Sequence, residues 1–392
     1  MVTVSEAKLL ISTNTVPLDQ VVIGLEKASG HILAKDIYAK YDIPAFKQSS
    51  MDGYAIKFDD HSKGLALIGE MAAGANAGLK INEGETSRIF TGAPLPEGAD
   101  TVVMQEKTSV EGGSVSIHDL DLKPGANVRP KGSEIKEGAL AMCAGDVLTP
   151  AAIGFLAGIG TKTVEVYPMP SVSIIVTGKE LQQPGLPLGF GQVYESNSYS
   201  LCAALKNEGI DQIRVFQADD DLEILVDILT SALAAADVVL LTGGVSVGDY
   251  DFVVEASTQC GIQQIFHKVK QKPGKPLYFG KKDRKMVFGL PGNPSSVLSC
   301  YYNYVLPCLK QLSNKDNSVI EVMAELTHSY KKAPGLTHFL KGFYESGKAR
   351  LLSAQESYRL STFAQANCLI CIDEALEEVA AGTKVKILLL PS

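Results

Sequence analysis

The residues best suited to chemistry lie in one basic run, Lys268-Val269-Lys270-Gln271-Lys272-Pro273-Gly274-Lys275-Pro276, the densest positive cluster of an otherwise acidic chain. Within it, Lys272 and Lys275 flank a Pro-Gly pair, and proline limits backbone freedom there. Two ammonium groups held on a stiff turn suit an anion better than a flexible, solvated charge run does. Three glycine-marked turns accompany the run, each directly after an apolar stretch: Thr177-Gly178-Lys179-Glu180, Thr242-Gly243-Gly244-Val245-Ser246-Val247-Gly248-Asp249, and Leu290-Pro291-Gly292-Asn293-Pro294-Ser295-Ser296. Exposed backbone N–H groups, helix starts and lysines together describe a phosphate or oxyanion site.

Each turn also has a plainer explanation. The run 242–249 is neither a P-loop nor a Rossmann fingerprint, since no Gly-Lys is followed by Ser or Thr and no GxGxxG opens a helix after a strand. Its glycines, Gly243 and Gly244, serve equally for a tight turn or for close approach of Ser246 and its neighbours to an anion. Asp220, Asp249 and Asp251 are ordinary helix caps in isolation. Beside bound phosphates, a carboxylate at a strand's carboxyl end commonly holds Mg²⁺. Pro294 suits a first helical turn, with Asn293 and Ser296 beside free N–H groups. In the first half, Asp52-Gly53 reads as a hairpin turn and the segment around Thr91 and Pro94 as a loop.

These turns require an α/β layer to position them. Over residues 171–312 strands (172–176, 213–216, 238–241, 265–269, 286–288) alternate with helices (197–207, 220–234, 251–259, 294–309). Ligands of such sheets bind outside the carboxyl ends of parallel strands, so the three turns are expected to face one pocket. Before this layer, residues 1–170 form N-terminal linker and β-rich parts, the β-rich part about 42–140. There, short β runs alternate with Gly and Pro turns in an antiparallel pattern, and a short helix is expected near 150–157. A helix is expected over 4–12 with Ser5 as its cap, and another over 18–28 ending at Gly30. After the polar linker 313–318, residues 320–392 read as a small β domain.

A chain of 392 residues exceeds one ordinary core. A net charge of −8 argues against a general nucleic-acid partner, because phosphate backbones need a basic face. No apolar run long enough for a bilayer and no signal-peptide core is present, so a cytoplasmic, non-membrane protein is expected. Seven cysteines without a paired framework fit a reducing compartment. Cys368-Leu369-Ile370-Cys371, the one CxxC, sits in an apolar stretch that favours burial over redox or metal chemistry.

In order along the chain, Ser50-Met51-Asp52-Gly53-Tyr54-Ala55, Thr91-Gly92-Ala93-Pro94, Thr177-Gly178-Lys179-Glu180-Leu181, Gly243-Gly244-Val245-Ser246-Val247-Gly248, Lys272-Pro273-Gly274-Lys275-Pro276 and Leu290-Pro291-Gly292-Asn293-Pro294 closely resemble the molybdopterin molybdenumtransferase family. The resemblance implies a multidomain fold: a central α/β pterin-binding domain with a mostly parallel sheet and helices on both faces, N-terminal linker and β domains, and a C-terminal β-barrel-like domain. It implies insertion of molybdate into adenylylated molybdopterin with Mg²⁺, releasing AMP, by a homodimer with shared clefts. Contact with the molybdopterin adenylyltransferase and with molybdoenzyme maturation proteins is implied as well. A scaffold with weakened catalysis and a tungstate-handling homologue are the alternatives.

On this resemblance Asp220 and Asp251 bind metal and nucleotide, while Lys268, Lys272, Lys275 and Ser296 form the molybdate and phosphate side. Gly243, Gly244, Ser246, Pro291, Asn293, Pro294 and Ser357 contact substrate. Asp52, Thr91, Glu134 and Glu180 complete the cleft, and the catalytic set is Asp52, Thr91, Glu180, Asp251, Lys272 and Lys275. The C-terminal segment departs from the family's Gly-Arg-x-x-Phe-x-Arg-Gly at Gly335-Leu336-Thr337-His338-Phe339-Leu340-Lys341-Gly342, and Glu356 stands beside Ser357 where glycine is usual. Lysine does not reproduce arginine's bidentate fork. Lys341 is therefore expected to supply the remaining positive charge of this part of the cleft, with weakened molybdate binding.

Overall fold

The structure is a computed structural model describing residues 1–74, 78–219, 221–244, 252–316 and 320–391. Two units emerge: one gathers residues 1–22, 30–32 and 165–392, the other residues 23–29 and 33–164. Helix α1 (Val4–Asn14) opens the first. Its cap is Thr3, not Ser5: Thr3 Oγ1 accepts the Glu6 N–H at 3.2 Å, and Glu6 accepts the Thr3 N–H at 2.8 Å. The reciprocal pair needs a three-residue spacing, which Thr3 and Glu6 have.

The α/β layer contains β1 (Val172–Thr177), α2 (Asn197–Asn207), β2 (Ile213–Ala218), α3 (Leu222–Ala235), β3 (Val238–Thr242), α4 (Phe252–Gln259), β4 (Gln263–His267), the short β5 (Gln271–Lys272), β6 (Tyr278–Lys282) and β7 (Lys285–Leu290). Among the described residues the sheet runs β2-β1-β3-β7-β6-β4. The first four strands are parallel, and β6 and β4 are antiparallel additions. Alternation along the strands divides the core: Val172, Ile174, Val176 and Leu240 pack with α1 and α2, whereas Ile175, Val239 and Leu241 pack under α3 and α4. Helices thus cover both faces, which accounts for strands apolar throughout. Helix α3 starts on Asp221, whose carboxylate accepts the Glu223 and Ile224 N–H groups.

Beyond β7 the expected helix 294–309 is three consecutive helical segments, α5 (Pro294–Cys300), a π segment (Tyr301–Val305) and α6 (Leu306–Leu312). The expected strand 265–269 ends earlier, at His267, because Lys268 takes a φ of +73°. The C-terminal part holds β8 (Glu321–Leu326), β9 (Tyr330–Lys331), β10 (Thr337–Glu345), β11 (Lys348–Leu351), β12 (Cys368–Ile372) and β13 (Lys384–Leu389). The order β10-β11-β8-β13-β12 closes through β10–β12 pairing into a five-stranded barrel, and β5 joins it by pairing with β10. Closure leaves no open edge within the ring.

In the second unit, strands Thr101–Met104, Gly53–Ile56, Glu85–Ile89, Leu65–Met71, Ser114–Ile117 and Thr108–Glu111 lie side by side in that order. The purely antiparallel expectation is corrected at one pair, since Leu65–Met71 runs parallel to Glu85–Ile89. The connection 72–84 has the length that such a crossover needs. A second correction concerns 18–28: no helix forms there, but a strand at Val21–Gly24 and a 3₁₀ turn at Leu25–Lys27. Three β-branched residues in a row, Val21, Val22 and Ile23, resist helix. The expected short helix is present as Pro150–Gly158, capped by Thr149.

Candidate functional site

The carboxyl ends of β1, β3 and β7 open into a cleft of about 1010 Å³ within the first unit. Its floor is made by the three turns: Thr177, Gly178 and Glu180 after β1, Gly243 and Gly244 after β3, Pro291 to Asn293 after β7. Gly243 has a φ of +88°, and a Cβ there would come within 2.6 Å of the Thr177 carbonyl oxygen. Only glycine permits that approach. Thr242 Oγ1 and Ser295 Oγ are buried without a hydrogen-bond partner among the described residues, leaving polar capacity at this end of the sheet.

The lysine turn forms one wall. Lys272 and Lys275 line the cleft with exposed side chains. Gln271 behind them is fully buried, and its amide donates to the carbonyls of Pro273 and Gly274 at 3.1 Å each. Its oxygen accepts the hydroxyl of buried Tyr304. Gly274 is compressed against the core as well, since a Cβ would meet Cys300 Sγ at 2.6 Å. The two ammonium groups therefore ride on a turn clamped from beneath.

The barrel supplies a further wall through Tyr330, Leu336, His338, Phe339 and the loop 354–357. Ser357 reaches the start of α5: its Oγ accepts Asn293 Nδ2 at 2.9 Å and its carbonyl accepts the Ser295 N–H at 3.1 Å. Tyr330 Oη lies 2.9 Å from His338 Nδ1. Burial, then the charges of Lys272 and Lys332, bring the His338 imidazole down to about 4, so it is neutral near pH 7.

Of the expected site residues, Glu180, Gly243, Gly244, Lys272, Lys275, Pro291, Asn293, Ser296 and Ser357 share this cleft. Lys341 requires a correction. It is 2% exposed, and its ammonium donates to the carbonyls of Ala354, Glu356 and Arg359 at 2.9, 3.2 and 3.0 Å. The charge that was expected to face an oxyanion is consumed in holding the cleft-lining loop. Lys268 is likewise no part of the wall: its left-handed backbone serves the chain, with its N–H on the Leu277 carbonyl and its own carbonyl on the Val2 N–H. Pro294 occupies the first turn of α5 without lining the cleft.

Asp220, Ser246 and Asp251 lie outside the described residues. Asp52, Thr91 and Glu134 belong to the second unit. There the Asp52 carboxylate accepts both the N–H and the Oγ1–H of Thr91 at 2.8 Å, which hold its carboxyl below the usual carboxylate range. Glu134 is exposed on a loop whose backbone bonds to Ile43. Cys368 is buried and Cys371 half-buried on β12, and burial pushes their thiols up to about 12 and about 11. High thiol pKa values suit packing, not redox chemistry. Sequence reasoning missed Gln271, Tyr330 and His338. Gln271 and His338 carried a signal, each as a polar residue inside a segment already marked, by the lysines and by Leu336 and Lys341 respectively.

Family models match the chain in three consecutive stretches: MoeA N-terminal region (domain I and II) over residues 2–160, probable molybdopterin binding domain over 173–311, and MoeA C-terminal region (domain IV) over 323–390. A molybdopterin molybdenumtransferase of Haemophilus influenzae is 34% identical over 95% of this chain and 94% of its own. One from Nostoc sp. is also 34% identical, over 95% and 89%. The crystal structure of a molybdopterin biosynthesis moea protein from Pyrococcus horikosii superposes with a TM-score of 0.82 at 29% identity, covering 99% of both chains.

Proposed function

This chain belongs to the molybdopterin molybdenumtransferase family, and from that premise we propose that it inserts molybdate into adenylylated molybdopterin, releasing AMP and the finished cofactor. Its role is molybdenum cofactor biosynthesis, as an enzyme. The observation that carries the finer reading is the clamped pair Lys272 and Lys275 facing glycine turns across one cleft. A pyrophosphate and an oxyanion must share one space in this reaction. Fixed ammonium groups and backbone N–H donors are suited to hold both and to stabilise charge as the phosphoanhydride opens.

The chain's own residues have separable tasks in this reading. Lys272, Lys275 and Ser296 hold the oxyanion, Gly243 and Gly244 let the substrate approach the strand ends, and Ser357 closes the site from the barrel. Among the described residues, no group of three or more His, Cys, Asp or Glu could hold a metal ion. Glu180 is the one carboxylate on the cleft floor among the described residues, which do not by themselves make a magnesium site. Mg²⁺ is proposed to act with substrate phosphates and with Asp220 and Asp251, since it usually keeps waters and few protein ligands.

The test is AMP release from adenylylated molybdopterin with Mg²⁺ and molybdate. Release should depend on molybdate, and Asp251→Ala should lower it about 100-fold with the melting temperature unchanged. Full activity in that variant removes Asp251 from the mechanism. Leu336 and Glu356 in the cleft wall favour a second reading, a pterin-binding scaffold with little turnover, and no AMP above a buffer control would select it. The protein is also proposed to be a homodimer with Asp52 entering the partner subunit's cleft, the commonest closed symmetry for soluble oligomers being twofold. Mixed Asp52→Asn and Asp251→Ala subunits should regain part of the activity, because one cleft of each heterodimer collects neither lesion. Confirmed exchange without recovery refutes the shared cleft.

A further inference from the structure

We propose that His338 is a proton-linked member of the oxyanion site: its imidazole takes up a proton as a tetrahedral dianion enters beside Lys272. The inference rests on the molybdate reading above and names a regulation of the same site by pH. It starts from register. Strand β5 pairs with β10 so that Lys272 stands opposite His338, and paired residues on neighbouring strands project to one face of the sheet. Both line the cleft. His338 is only 7% exposed, and Tyr330 fixes its ring through Nδ1 at 2.9 Å, with the two rings edge to face at 5.9 Å. The nitrogen left to meet a ligand is Nε2.

The surroundings decide the sign. Lys272 and Lys332 are the cations that act on His338, and Tyr330 is its hydroxyl neighbour. Its partner on β12 is the uncharged Ile372, and Glu180, Lys275 and Glu356 line the same cleft. Leu336, two residues earlier on the same wall, contributes no charge. In the free protein, burial and the two lysines keep the ring neutral at pH 7. A dianion in contact acts in the opposite direction, since it carries two charges at close range. The ring's pKa in the complex is therefore higher than in the free protein. Between those two values each binding event consumes a proton, so affinity rises as pH falls, by at most about tenfold per pH unit. Above the higher value the dependence vanishes.

Titration calorimetry of the full chain with sodium molybdate, from pH 6 to pH 8.5 and in buffers of different ionisation heat, reads the uptake directly. Tightening toward low pH with net proton uptake is expected, and His338→Gln should flatten the pH profile and abolish the uptake. Carbon-13 histidine spectra of the unsubstituted protein give a second readout that needs no folded variant. One histidine signal should move to the imidazolium position when molybdate is added. Molybdate binding without proton uptake, or uptake that persists in folded His338→Gln, overturns the inference and leaves the oxyanion reading standing. No molybdate binding at any pH overturns the oxyanion reading and the inference with it.

Discussion

Replacing Lys341 with methionine is expected to lower the melting temperature by about 6–12 °C, from a loss on the order of 3 kcal/mol. Methionine keeps the length of the apolar stem, so the change isolates the ammonium. Three carbonyls, those of Ala354, Glu356 and Arg359, then lose their shared donor. Burial disfavours the ammonium, which offsets part of the gain and keeps the net figure well below three full charged hydrogen bonds. The same loop carries Ser357, whose carbonyl and hydroxyl meet the start of α5. Loosening it should raise the molybdate KM while leaving the chemistry of the lysine turn intact. Scanning calorimetry on the folded variant decides the matter, and an unchanged melting temperature means that the three bonds contribute nothing net.

The second large effect is expected at the lysine turn. Lys272→Ala and Lys275→Ala should each lower kcat/KM for molybdate-dependent AMP release by about 10²–10³-fold, the loss typical of one preorganised donor at a developing charge. Stability should stay within about 0.5 kcal/mol, because both side chains are exposed and neither is packed. The contrast with Lys341 is diagnostic: that variant should lose stability with little loss of direct chemistry, the other two the reverse. A drop of less than about tenfold in both variants removes the turn from the oxyanion site.

That contrast marks the limit of what the sequence made legible. The parallel strands were readable because a strand covered on both faces is apolar throughout, as Val172–Thr177 and Val238–Thr242 are. The three turns followed from the same strands, and the cleft from the turns. Strand Tyr278–Lys282 was missed because it mixes aromatic and basic residues at the antiparallel side of the sheet. Over 18–28 the stop signal at Gly30 suggests a helix, and the β-branched run Val21 to Ile23 overrides it. Lys341 was assigned to the wrong partner because nothing in a string of residues says which carbonyls a later loop will present. The place of His338 is not legible in the sequence, since its register with Lys272 exists only once two strands distant in sequence pair.

Strand β5 gives the cleft a mechanical character. It leaves the α/β layer, adds itself to the barrel beside β10, and carries Lys272 at its end. Lys275 follows on a turn fixed to the helical core through Gln271 and Tyr304. The lysine pair is thus a rivet through two layers, and moving it would tear a sheet bond on one side or a core contact on the other. The cationic end of the cleft behaves as an anvil.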